Sequence, residues 1–139
     1  MNGREIINAR SWERIVFREL EFESDGDLLE MDDFWGNVTH EVPRHLHPSA
    51  EERWEVVEGT VLFEIGDQTI TAGPGDRIVA PAGIPHAAKN IGGTEVHLRV
   101  EMQPALRWVE FVEKWFALPS EEQHLVVELL AAYPDEIVI

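Results

Sequence analysis

Apolar and polar residues alternate in twos through the middle of the chain. Val61, Phe63 and Ile65 share one phase and Glu64 holds the other, the period of a strand with one buried face. Val96, Leu98 and Val100 repeat the pattern against His97, Arg99 and Glu101. Further short β-prone segments are Ile15-Val16-Phe17, Leu28 to Met31, Glu52 to Glu58, Gln68 to Thr71, Arg77 to Pro81 and Pro85 to Ile91. Gly59, the hairpin signal Gly66-Asp67 and the turn Gly73-Pro74-Gly75-Asp76 punctuate them. Many short, turn-separated strands predict an all-β sandwich or barrel over residues 15–103. Residues 1–14 are polar and read as an irregular N-terminal segment.

The period changes after residue 104. Leu106, Val109, Val112 and Phe116 recur at helical spacing with Glu110, Glu113 and Lys114 between them, and Pro119 stops the run. Ser120 with Gln123 has the form of a capping box. It opens a second predicted helix through Leu125, Val126, Leu129 and Leu130 that ends at Tyr133-Pro134. Residues 104–139 thus form a helical extension. No internal repeat is present, which excludes a duplicated two-barrel protein.

Composition narrows the function. A chain of 139 residues with 44% hydrophobic content fits one domain with a real core. Its 27 acidic residues against 11 Lys and Arg, a formal charge of −16, argue against nucleic acid and against an anionic membrane surface. Without cysteine there is neither a disulfide framework nor a thiolate metal site. Met1-Asn2-Gly3-Arg4-Glu5 lacks an apolar leader, and no run approaches the ~18 apolar residues of a membrane span. A soluble, cytoplasmic protein is expected. No Gly-rich phosphate loop, no serine nucleophile motif and no catalytic carboxylate pair is evident.

The candidate chemistry lies in two short stretches. His45 and His47 are two apart, so on a strand they face the same way. Pro48 then turns the chain so that a carboxylate, Glu52 or its neighbour Glu51, can return over the same cavity. His86 follows Pro81-Ala82-Gly83, a tight turn able to aim a further imidazole inward. Imidazoles plus one carboxylate suit one divalent transition metal: Fe, Mn, Ni, Cu, Co or Zn. Four protein donors leave a position open for water, dioxygen or substrate. His40 falls out of phase with His45 and reads as a surface residue. His97 sits on a polar strand face, and His124 lies in the tail. Trp108 and Trp115 read as helix-core residues.

His45-Leu46-His47, four residues, Glu52, six residues and Gly59 resemble the first motif of the cupin superfamily. Gly75, five residues, Pro81-Ala82-Gly83, two residues, His86, three residues and Asn90 resemble the second. The spacing to Gly59 prefers Glu52 over Glu51. One position departs: the glycine usual six residues before the first histidine is Thr39 here, with Gly36 the nearest glycine. The likeness covers about residues 30 to 103, and with the tail it is similar to small single-domain cupins carrying C-terminal helices. It implies a single jelly-roll β-barrel with a short helical tail, and it implies that His45, His47, Glu52 and His86 are the metal ligands.

Strand parity sketches the pocket. Counting in twos from Glu52 places Trp54 and Val56 inside, and counting from His86 places Ala88 inside. Phe63 lies on the apolar face of its strand. No Lys or Arg falls inside on this count, so a strongly anionic substrate is disfavoured. A small neutral or aromatic molecule fits better. The expected function is a metal-dependent enzyme of dioxygenase type, with Glu52 also able to accept a proton if it detaches. A non-redox isomerase, decarboxylase or hydrolase is the alternative, and a non-catalytic small-molecule or metal-binding protein the next. Leu62, apolar on a polar strand face, and the apolar stripe of the tail predict a homodimer.

Overall fold

A computed structural model describes residues 3–21 and 27–139, without the side chains of residues 19–21. Met1 and Asn2, which open the stretch read for a leader, lie outside it. Ten strands precede two helices: β1 Arg4–Asn8, β2 Glu13–Glu21, β3 Leu28–Trp35, β4 Glu41–His45, β5 Glu51–Glu58, β6 Val61–Ile65, β7 Gln68–Ala72, β8 Arg77–Ala80, β9 His86–Asn90, β10 Val96–Gln103, α1 Trp108–Ala117 and α2 Gln123–Ala132. The alternating segments thus became strands and the helical-period segments became helices. Residues 4–8, expected to be irregular, instead form β1 and pair with residues 13–17 of β2.

Two antiparallel sheets result, ordered β1-β2-β3-β10-β5-β8 and β4-β9-β6-β7. Among the described residues the named strands pair within each sheet only, so the molecule is a two-sheet, mostly β structure and its ladders do not close a barrel. The inner faces meet through contacts such as Trp54 on Phe63, with ring centroids 5.1 Å apart.

Register sorts the inner face of the six-stranded sheet into four rows. Glu13, Trp35 and Val96 form the first, and Ile15, Asp33, Leu98 and Val56 the second. Phe17, Met31, Val100, Trp54 and Ile78 form the third, and Leu29, Met102, Glu52 and Ala80 the fourth. Phe17, Leu29, Val56, Val61 and Phe63 have no solvent exposure, and each such side chain contributes about 1.5–3 kcal/mol by burial. Three carboxylates interrupt this apolar surface: Glu52 in the last row, Glu13 and Asp33 in the first two.

Two local features position the rest. Gly59 has φ 94° at the β5–β6 turn, and a Cβ there would lie 2.8 Å from the Glu95 carbonyl oxygen, so only glycine fits. Arg10, in the β1–β2 turn, donates to the carbonyls of Trp115 (2.9 Å), Leu118 (2.5 Å) and Phe116 (3.4 Å). A guanidinium on the last carbonyls of α1 satisfies orphan acceptors and complements the helix dipole. The predicted capping box does not form. Glu122 occupies the N-cap of α2 without a side-chain cap, and the Ser120 hydroxyl lies 3.5 Å from the Glu122 amide instead. Beyond α2 the chain returns, and Val138 pairs with Leu46 in an antiparallel bridge.

Candidate metal centre

His45 ends β4 and faces His86 at the start of β9, its direct partner in the ladder. Glu52 projects from β5 in the other sheet. His47 stands just beyond β4, held by the Leu46–Val138 bridge. One donor atom from each of the four lies within 4.8 Å of all the others. The imidazole centroids are 4.4 to 5.1 Å apart. Donors about 2.0–2.2 Å from a common ion would be separated by roughly 3 to 4.4 Å, so the cluster has the right size.

The backbone sets the direction of each ring. His45 Nδ1 donates to the Pro43 carbonyl at 2.7 Å, His47 Nδ1 to Glu136 at 2.8 Å, and His86 Nδ1 to Ile84 at 3.2 Å. A carbonyl oxygen only accepts, so each Nδ1 carries the proton and each Nε2 presents a lone pair. This outer hydrogen bonding is the usual means of orienting a ligating histidine. The inward Nε2 atoms of His47 and His86 then lie 3.0 and 3.3 Å from Glu52 Oε1, and His86 Nε2 is buried without a hydrogen-bond donor. Two imidazole nitrogens this close to one carboxylate oxygen need a cation there, a proton on the ring or a metal ion. The residues therefore fit a divalent transition ion.

Charge agrees. Burial pushes the Glu52 carboxyl up, but the facing imidazoles of His47 and His86 overcome it and hold the group well below the usual carboxylate range. Burial, helped by the charge of His86, takes His45 down to about 4. Burial also opposes protonation of His47, yet the hydrogen bond and charge of Glu52 leave it raised. An anionic Glu52 beside a neutral His45 is the state a metal requires.

The sequence-based residues fall as follows. His45, His47, Glu52 and His86 come together. The rival Glu51 points away, its carboxylate 2.5 Å from Arg53. Trp54 and Ala88 line the adjoining cavity of about 450 Å³. Val56 and Phe63 are wholly buried in the core and do not line it. His97 is on the outer face of its sheet, 2.8 Å from Asp32. Trp108, read only as a helix-core residue, lines the cavity and sets its ring edge-on against His47 at 4.9 Å.

Other groups were missed. His40, expected at the surface, is only 8% exposed and lines the cavity. It precedes β4, and the β4–β9 register shifts between Val42 and His45, so parity counted back from His45 does not carry through. Two further carboxyl groups, Glu13 and Asp33, which were not singled out in the sequence, line the same cavity. The missed signal was parity itself, since two steps back from Ile15 reach Glu13, and Asp33 lies midway between Met31 and Trp35.

Comparison with known proteins agrees with this geometry. Residues 37–102 match the family described as the cupin domain, and this stretch, which holds all four candidate ligands, is a cupin domain. No curated protein matches it. Among solved structures it is similar to an RmlC-like cupin from Shewanella frigidimarina, with 18% identity over 75% of this chain and 86% of that one and a TM-score of 0.64. The cupin domain of Schizosaccharomyces pombe Cnp3 shares 16% identity over 63% of each chain, TM-score 0.54. A DMSP lyase, DddQ, from Ruegeria pomeroyi shares 28% identity over 60% of this chain and 41% of that one, TM-score 0.51. The chain spans less than two thirds of the last two.

Proposed function

We propose that this chain is a metal-dependent cupin enzyme of oxygenase type acting on a small molecule with an aromatic or otherwise apolar body. The observation that carries the reading is the convergence of three imidazoles and one carboxylate within 4.8 Å of one another, with His45, Glu52 and His86 on the wall of a small cavity. A bound Fe, Mn, Ni, Cu, Co or Zn ion would supply Lewis acidity and, where redox-active, a route to dioxygen chemistry. His45, His47 and His86 hold it through ring nitrogens fixed by backbone carbonyls. Glu52 adds charge and, if it detaches, accepts a proton from the substrate. Trp54 and Trp108 shape the cavity and exclude water from it. Dioxygen consumption with candidate catechols and enols tests the proposal, with His47→Ala as control. Uptake by the native protein and none by the variant is the expected result, and equal rates refute it.

A second reading is non-redox chemistry, an isomerase, decarboxylase or hydrolase. It is favoured by Glu13 and Asp33, two carboxyl groups on the wall of the same cavity that burial makes easier to protonate. Zinc alone in the native protein, with turnover that needs no dioxygen, would select it. We also propose a homodimer through the outer face of β6, where Leu62 is half-buried between charged neighbours. Light scattering at micromolar concentration should give twice the chain mass.

A further inference from the structure

The cavity has a second polar end. Asp33 stands two rows from Glu52 on the inner face, four residues or roughly 13 Å along the strand direction. Its Oδ2 accepts from Trp35 Nε1 at 3.1 Å. Its Oδ1 is buried, and no N–H or hydroxyl group among the described residues donates to it. Glu13, diagonal to it across the β2–β3 ladder, lines the same cavity, and a carboxyl-to-carboxyl hydrogen bond between the two would need one shared proton. The pair then keeps one negative charge.

His40 is the independent sign that something is to be bound. Its ring lies against Trp35, with centroids 4.7 Å apart. Its Nε2 is 3.8 Å from Glu13, beyond hydrogen-bond reach, and the ring has no hydrogen bond among the described residues. It is nine-tenths buried and lines the cavity. The pair has no internal cation either. Among the described lining residues Arg10 alone is a Lys or Arg; its Nη atoms are held by the carbonyls at the end of α1, and its Nε is buried without a partner.

We infer that this end of the cavity is a subsite for a positively charged nitrogen, so that the ligand carries a metal-binding oxygen group at one end and an ammonium at the other. An ammonium offers three donors, matching Asp33 Oδ1, the Glu13 carboxyl and a lone pair of His40. A buried carboxylate without a cation is costly, and a charge-assisted hydrogen bond removes that cost. Burial and the neighbouring carboxylates hold Glu13 well above the usual range, and burial takes Asp33 to about 6, in keeping with one shared proton and one charge. The inference rests on the proposed metal centre for the far end of the ligand.

Calorimetry on the cobalt-loaded protein tests it. 5-Aminopentanoate and 6-aminohexanoate, with longer reach between the two ends, are compared with pentanoate and hexanoate, and 6-hydroxyhexanoate separates charge from mere hydrogen bonding. The amino acids should bind about tenfold tighter or better than the plain acids of equal length. Glu13→Gln and Asp33→Asn should each erase the difference while cobalt affinity holds and the protein stays folded. Either variant suffices if the other fails to fold. Equal affinities, a hydroxy acid that matches the amino acid, or a preference surviving both substitutions would overturn it. Failure of the metal reading is separate, since it shows as no cobalt uptake. Butylamine against butanol on the metal-free protein then decides the subsite, an amine preference lost in the two variants upholding it and no preference overturning it.

Discussion

Asp32 and Asp33 are adjacent on β3, yet they sit on opposite faces of the same sheet and meet opposite fates. On the outer face Asp32 is 3% exposed and is ringed by Arg18 at 2.7 Å, His97 at 2.8 Å and Arg99 at 3.8 Å. Burial would raise it, but the hydrogen bonds of His97 and Arg18 and their charge win, and its carboxyl is lowered. On the inner face burial takes Asp33 to about 6, with Trp35 Nε1 as a donor to it and Glu52 as a repelling charge. Partners, not depth, decide the charge of a carboxylate. The chain closes its outer carboxylate with its own cations. It leaves those of the inner face, Glu52 included, for partners that come from outside.

The largest way to break this contrast is at Glu52. Glu52→Gln keeps the shape and removes the charge, and cobalt(II) affinity followed by its visible absorption should fall by about a hundredfold or more. Next come the adjacent pair. Asp32→Asn should destabilise the protein by about 1–3 kcal/mol above neutrality, because Arg18 and His97 lose a charged partner. Asp32 is lowered in the fold, so that loss should shrink as pH falls below about 4. Asp33 is raised from 3.8 to about 6, so its ionised form is disfavoured in the fold. Its contribution is fully present below about pH 4 and lost as pH rises through 6. Asp33→Asn should therefore stabilise the metal-free protein by up to about 3 kcal/mol above pH 6 and little near pH 4. Thermal melts across pH read both, and slopes of the same sign would collapse the contrast.

His40 sharpens it further. Burial takes its imidazole from 6.5 to about 4, so the stability tied to its neutral form is complete above 6.5 and is lost as pH falls to about 4. His40→Phe should flatten that part of the acid limb, by up to ~3 kcal/mol in melts of the metal-free protein. The smallest effect is expected at Glu51, half-buried and paired with Arg53. Glu51→Gln should change stability by less than about 0.5 kcal/mol and leave cobalt affinity unaltered. The pair Glu51 and Glu52 thus repeats the contrast within one dipeptide.

What could be read from the chain followed from local regularity. Alternation marked β6 and β10 because one face of each is buried, and motif spacing chose Glu52 over Glu51. Reading broke down where regularity does. β1 is a short strand with little buried surface, so it carries no apolar stripe to see. His40 lies before a register shift, which cancels parity. Trp108 reaches His47 because the tail folds back over the site, a long-range contact that no local pattern encodes. The carbonyl that orients His47 comes from Glu136, eighty-nine residues away. Glu13 and Asp33 were within reach of the parity rule, but polar residues at apolar-phase positions look like strand ends until the partner strands are known.

The central claim is that the inner face ends in a metal centre built by His45, His47, Glu52 and His86. Elemental analysis of the protein purified without added metal, beside His47→Ala purified in the same way, addresses it most directly. The account predicts a stoichiometric divalent transition ion in the native protein and its loss in the variant. A native protein with no such ion, or a variant that retains it in full, would contradict it.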